Sequence, residues 1–365
     1  MKFSKEDTLA VKGIAILMMY IHHQFLDGSR YKGYYVNFFP FSEVQVQYVA
    51  AFLKICVGMF VFLTAYGMTM SFNNKCKNYV LTRKQTLTTI ANRYISLISG
   101  YFIIFIISQL YSWNGQRQFR IYGKEKSSIL YFFIDFFGLA KIFDTPTFNA
   151  TWWYMSLAIV IILIMPLLYR WYGKDGILVV FASILLPRAL GLEILDLTRW
   201  LLAITLGIYF ADRNILVRLK QMYICKSKII NKIIKFCCAT AILILLVLIR
   251  QSKIGPKFID IWDCVIPAYV VYYCFEFVID IIFIRKILVL LGKHSMNMFL
   301  SHTFFRAIYF PDFIYSFKYA WLDTLVLIII TLILSIIIEF LKETLKYNKI
   351  IDNIKLKTTE YIMNQ

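Results

Sequence analysis

The chain has 365 residues, 60% of them hydrophobic and 18% aromatic, which is more apolar surface than an ordinary soluble domain of this length needs. Its formal charge of +19 does not mark a nucleic-acid face, because the cations fall in short clusters between apolar runs. That distribution reads as membrane topology plus contact with anionic lipid headgroups, with an anionic ligand on the cytoplasmic side as the other reading. The class is therefore an all-α polytopic membrane protein, with no nucleic-acid partner.

Ten spans are expected, at about 8–26, 49–71, 91–111, 151–170, 176–192, 197–212, 233–250, 261–283, 296–311 and 321–341. The first contains Asp7-Thr-Leu-Ala-Val-Lys-Gly-Ile-Ala-Ile-Leu-Met-Met-Tyr-Ile-His-His-Gln24. Lys12 and His23 are eleven residues apart. That is roughly three helical turns, so the two side chains share a face about 16 Å apart along the axis. No small-x-small cleavage site follows, so this helix is expected to be retained rather than removed as a signal peptide. Ionisable groups inside a membrane helix are costly and mark substrate or proton paths. Lys12 has two readings, snorkelling to headgroups or contacting a phosphate. Arg93, at the start of the third span, poses the same choice.

Lys75, Lys77, Arg83 and Lys84 lie between the second and third spans. Segment 127–143 is apolar enough to span but carries Asp135 in its middle. Counting it would throw the large basic cluster at 213–235 to the other side, so it is expected to be re-entrant or interfacial. The fourth span opens with Thr151-Trp-Trp-Tyr-Met155. Trp152, Trp153 and Tyr154 read either as an interfacial aromatic belt or as a platform for a sugar ring. The fifth and sixth spans are short and hold Pro187, Arg188 and Arg199. Asp260, Asp263, Glu276 and Asp280 recur along the eighth, where they either line a polar cavity or pair with arginines such as Arg188 or Arg199. Arg285, Lys286 and Lys293 precede the ninth span, and Lys346, Lys349, Lys355 and Lys357 follow the tenth. Placing every basic cluster in the cytoplasm puts both termini there. Two parts are expected: a membrane domain over 1–345 and a short basic cytoplasmic tail over 346–365.

Four histidines are present, His22, His23, His294 and His302. Neutral imidazole is the natural proton acceptor near neutral pH, and a hydroxyl nucleophile needs one. A metal site is not expected. Adjacent histidines point about 100° apart, and no His-x-x-His or Glu-x-x-His occurs. The seven cysteines include no Cys-x-x-Cys and read as reduced packing residues.

Several pieces resemble the acyltransferase 3 family of bacterial membrane acyltransferases. Lys12-Gly13 with His23 is similar to the family's first helix, with its basic residue, glycine and later histidine. Val57-Gly-Met-Phe-Val-Phe-Leu-Thr-Ala-Tyr-Gly-Met68 resembles its Phe-rich second helix, and Asn92-Arg93 the end of its third-helix basic motif. Asn149-Ala-Thr-Trp-Trp-Tyr-Met155, with Pro166 beyond it, resembles its Trp-aromatic segment. Leu291-Gly-Lys-His-Ser-Met-Asn-Met-Phe-Leu-Ser-His302 is similar to its late Gly-x-x-Ser…His signature. The pieces come in the family's order over about 5–340. The chain departs from the pattern at Lys12, where Arg is common, at Ile90, where a second Arg often stands, and at Ala158, where many members have Glu.

The resemblance implies transfer of an acyl group, most often acetyl, from cytoplasmic acyl-CoA to a hydroxyl of a glycan or lipid-linked saccharide across the bacterial plasma membrane. Acetyl-CoA is then a co-substrate, with no permanently bound cofactor. His23 becomes the catalytic residue, as general base or transient acyl carrier. Lys12 and Arg93 become donor-binding residues, and Trp152, Trp153, Tyr154 and His302 acceptor-binding ones. Two other classes compete. One is a transporter or flippase, for which the half-repeats common in transporters are missing. The other is a non-catalytic partner in an envelope-glycan machine.

Overall fold

A computed structural model describes residues 2–76, 78–112, 116–193 and 195–365. Lys77 of the basic cluster lies outside the described residues. The described residues fold into helices joined by turns and loops: α1 (Lys5–Phe25), α2 (Glu43–Phe52), α3 (Cys56–Asn73), α4 (Arg83–Tyr111), α5 (Gln116–Tyr122), α6 (Ser127–Phe136), α7 (Trp153–Asp175) and α8 (Ile177–Ala189). There follow α9 (Leu201–Asp212), α10 (Ile215–Gln221), α11 (Lys228–Gln251), α12 (Ile259–Tyr273), α13 (Ile282–Thr303), α14 (Pro311–Ile314), α15 (Ala320–Thr344) and α16 (Tyr347–Asn364). A short 3-10 turn, Leu53–Ile55, joins α2 to α3, so that Glu43–Asn73 runs as one 31-residue rod.

The expected ten spans are not all supported. Among the described residues, six helical stretches are long and apolar enough to cross a membrane: Glu43–Asn73, Arg83–Tyr111, Ala150–Asp175, Lys228–Gln251, Gly255–Val278 and Ala320–Thr344. They answer to the expected second, third, fourth, seventh, eighth and tenth spans. At 13 and 12 residues, α8 and α9 reach only about 20 Å at 1.5 Å per residue, short of a hydrocarbon core of about 30 Å. The expected ninth span, 296–311, is not a separate element. Helix α13 begins at Ile282 and runs unbroken through Lys293 and His294, then gives way to the π-helix Phe304–Tyr309. The first helix is long enough at 21 residues. Its polar residues keep it out of the apolar set. Segment 127–143 folds as the ten-residue α6 followed by turns, too short to cross alone.

By packing, the described residues divide into two units, 1–79, 168–295 and 315–325 on one hand and 80–167, 296–314 and 326–365 on the other. In the first unit, α1 starts with a capping box in which Ser4 and Asp7 bond each other's backbone amides. Arg285 of α13 then bridges Asp7 at 2.8 Å. Farther along, α1 and α13 cross backbone to backbone. A Cβ on Gly13 would stand 2.1 Å from the Leu288 carbonyl oxygen, and one on Gly292 would stand 1.9 Å from the Leu9 oxygen. Small residues at a helix crossing permit this approach. The same device seats α3 on its neighbours, with Gly58 against the Asp263 carbonyl and Gly207 of α9 against that of Phe62.

The acids of the eighth span region resolve as ion pairs. Asp263, fully buried, accepts from Arg199 Nη2 at 2.7 Å and Arg250 Nε at 2.8 Å. Arg188 pairs with Asp260, Lys235 with Glu276 at 2.7 Å and Lys220 with Asp280 at 2.7 Å. Buried charges persist when paired and hydrogen-bonded, and removing one partner costs ~3–5 kcal/mol.

The second unit is built on an aromatic core of Tyr101, Phe105, Tyr122, Phe148, Trp152 and Phe304. The basic tail is a helix in this unit: α16 lies against α4, with Asn92 Nδ2 donating to Thr359 Oγ1 at 3.1 Å and Lys84 Nζ to the Met363 carbonyl at 2.6 Å. Apolar side chains on α11 and α15, such as Ile233, Ile244, Leu248, Ile333 and Phe340, stay exposed, as lipid-facing helices require.

Candidate active site

In the first unit, the last turn of α1 carries the histidine pair. The two rings meet edge to face at 5.3 Å. His22 is buried, and its Nδ1 lies 2.8 Å from the Ala50 carbonyl oxygen. A carbonyl can only accept, so Nδ1 of His22 carries the proton. His22 thereby fastens the end of α1 to α2, and His23 is the half-buried member of the pair. Lys12 is also half-buried, one residue before the glycine that seats α1 on α13. Lys12 and His23 lie on one unbroken helix, so the rise between them follows from helix geometry.

A folded loop closes this end of the first unit. Asp27 caps the 3-10 turn Gly28–Tyr31. The Tyr31 hydroxyl donates to Glu43 at 2.6 Å, and Gln47 donates to Tyr31 at 2.7 Å. Burial, followed by the Glu43 carboxylate, pushes the Tyr31 phenol up to about 12. Asn37 exchanges backbone bonds with Lys318 and Ala320, while Tyr34 stacks on Tyr315 at 5.0 Å. Phe25, Phe38 and Ala320 share one apolar cluster. Beside it runs an almost wholly apolar groove of about 540 Å³, lined by Ile21 and Phe25 of α1, the loop 38–41, α2 and the start of α15.

The remaining sequence-derived residues belong to the second unit. Arg93 is half-buried on α4, next to the Asn92 that anchors α16. Trp152 is buried, and its indole donates to the Leu300 carbonyl at 3.0 Å. Trp153 and Tyr154 are partly exposed, and Tyr154 packs on Phe299 at 5.7 Å. His302 is fully buried and bonded at both ring nitrogens, to the Phe299 carbonyl at 2.6 Å and to Thr303 Oγ1 at 3.1 Å. Thr303 in turn meets Thr151, whose hydroxyl donates to Asn149 Oδ1 at 2.9 Å. The histidine thus sets the turn from which α7 starts.

Asp135 holds the other side of that turn. Its carboxylate accepts from Tyr122 at 2.7 Å, Thr147 at 2.8 Å and the Phe148 amide at 2.6 Å. Sequence reasoning flagged Asp135 as an anomaly in an apolar stretch and missed this role. Two further buried polar residues were missed, Gln24 beside the histidine pair and Asp323 at the start of α15. Asp323 was visible as the one acid just ahead of the apolar run Thr324–Phe340. No group of three or more His, Cys, Asp or Glu with metal-binding geometry occurs among the described residues.

A family model described as an acyltransferase domain matches residues 10–340, nearly the whole chain. No curated protein and no solved structure matches. The matched span takes in α1 with its lysine and histidines, the aromatic turn before α7 and the late helix α13. The chain therefore belongs to the acyltransferase 3 family and is a membrane acyltransferase.

Proposed function

We propose that the protein moves an acyl group, acetyl first among them, from acyl-CoA to a hydroxyl of a glycan or lipid-linked saccharide at a bacterial plasma membrane. Both termini lie in the cytoplasm in this reading. The observation that carries it is the single helix α1. It holds a cation and a histidine on one face, and His22 occupies the structural hydrogen bond while its neighbour does not share that bond. Lys12 on α1 is the cationic ligand for the phosphates of the nucleotide, and Arg93 keeps the donor-binding role that the family resemblance implies. The pantetheine arm follows α1 toward His23.

At His23 the acceptor's O–H proton passes to the imidazole as its oxygen attacks the thioester carbonyl. A C–O bond forms, the C–S bond breaks, and coenzyme A leaves as a thiolate that is then protonated. Alternatively, His23 attacks first and carries the acyl group to the acceptor. Trp153 and Tyr154, the partly exposed members of the aromatic turn, are the acceptor-facing surface. Trp152 and His302, both buried, hold that surface in place from behind.

The test supplies purified protein in lipid vesicles with labelled acetyl-CoA and a saccharide acceptor. The reading requires free coenzyme A and acylated acceptor in equal amounts. Saccharide crossing the bilayer with acetyl-CoA untouched would instead establish the flippase class.

A further inference from the structure

Most buried charges and amides described above have partners, whereas two buried polar side chains near the end of α1 have none. Asp323 and Gln24 are both fully buried. Neither carboxylate oxygen of Asp323, and neither amide atom of Gln24, has a hydrogen-bond partner among the described residues. Each such group costs ~1–3 kcal/mol when left unsatisfied, and more if charged. Asp263 and Asp135 show what this fold does with an acid whose task is structural: two arginines surround the first, and three short hydrogen bonds hold the second.

The two orphans lie at one level of the first unit. The groove beside α1 is lined by Ile21 and Phe25 from α1 and by Ala320, Trp321 and Thr324 from α15. The last turn of α1 and the first turn of α15 are therefore neighbours. Gln24 falls between Ile21 and Phe25 along its helix, and Asp323 between Ala320 and Thr324. At about 100° per residue, Asp323 stands roughly 200° round from Trp321. Trp321 is exposed, so Asp323 faces away from the lipid side. Gln24 immediately follows His23.

We propose that Asp323 and Gln24 form a polar subsite for the acceptor, in which their free oxygen and amide groups hydrogen-bond the hydroxyls of a neutral polyol or sugar beside His23. The Asp323 carboxyl accepts hydrogen bonds and donates one when it is protonated, and Gln adds two donors and an acceptor, so the pair suits vicinal hydroxyls, which offer both roles. A ligand with these groups satisfies atoms that the protein leaves bare, and an apolar analogue does not. Discrimination of this kind is large, because the wrong ligand leaves the buried groups unpaired. This inference rests on the acyl-transfer reading for its biological meaning but is testable without it.

The experiment compares wild type with Asp323→Asn, Asp323→Leu and Gln24→Leu in lipid vesicles, using methyl glycosides of common hexoses as the probe. Three quantities are read: thermal unfolding, acetyl-CoA dependence, and glycoside dependence of transfer. The expected result is an unfolding temperature equal to or above wild type in all three variants. KM for acetyl-CoA should stay within twofold, and KM for glycoside should rise at least tenfold in both Asp323 variants. A fall of several degrees in unfolding temperature with unchanged glycoside dependence would overturn the proposal and make the pair structural. Wild type inert toward every acyl-CoA would sink the acyl-transfer reading alone. Glycoside binding followed by tryptophan fluorescence then decides the subsite: saturable in wild type and lost in Asp323→Asn supports it, and identical or absent in both overturns it.

Discussion

The two units bury acid in different ways. In the first, Asp263 sits between two arginine side chains, a charge held by charges. In the second, Asp135 is held by a phenol, a hydroxyl and a backbone amide, all neutral donors. An ion cluster tolerates small shifts, since Coulomb attraction falls slowly with distance. Hydrogen bonds weaken steeply away from ideal geometry. Asp263 is thus a rivet between the turn before α9, α11 and α12, whereas Asp135 is a gauge that fixes where the Phe148–Trp152 turn lies.

The strongest break in that contrast is Asp263→Ala. It leaves Arg199 and Arg250 buried with no counter-charge and costs ~3–5 kcal/mol, read as a lost or much lowered unfolding transition. Replacing all three members with apolar residues of similar volume restores most of the loss, if the rivet is electrostatic. Next comes Asp135→Ala, which strands Tyr122, Thr147 and the Phe148 amide. The expected cost is ~2–4 kcal/mol, with acceptor KM raised by the loosened aromatic turn. Asp135→Asn keeps the acceptor oxygen and is expected to do less on both counts.

Gly13→Ala sharpens the first-unit side. A methyl there meets the Leu288 carbonyl, so α1 and α13 must part, at ~1–3 kcal/mol. Because Lys12 and His23 ride on the same helix, donor affinity and turnover both fall. Smallest is His22→Phe, which removes one bond to Ala50 and costs ~1–2 kcal/mol, against a far larger loss of turnover for His23→Phe. Equal effects on turnover from the two histidines would erase the distinction drawn between them.

What the sequence made legible was local or chemical. Lys12 and His23 share a helix face because eleven residues make three turns, and nothing tertiary was needed to see it. Of the two readings of the acids in the eighth span region, cavity lining or pairing with arginines, the pairs Arg188–Asp260 and Arg199–Asp263 match the second. Ends of helices were less legible. Arg285, Lys286 and Lys293 read as a basic stretch ahead of a separate ninth span, yet α13 runs through them, and Gly292 within it packs closely on α1. His302 carried a reactive residue's chemistry, but both of its nitrogens are committed to Phe299 and Thr303, contacts decided by the fold of the chain around it. Gln24 and Asp323 stand some three hundred positions apart, and the bridge between Asn37 and Tyr319 is one of the contacts that bring the end of α1 and the start of α15 near each other.

The most direct measurement is steady-state acyl transfer by the protein in vesicles, wild type against His23→Ala and Lys12→Ala, each checked for an unchanged unfolding transition. The expected result is loss of at least 10²-fold in kcat for His23→Ala, the scale of a missing general base. For Lys12→Ala the expected change is a raised KM for acetyl-CoA with kcat largely kept. Full turnover in a folded His23→Ala protein would contradict the assignment of α1 as the catalytic helix.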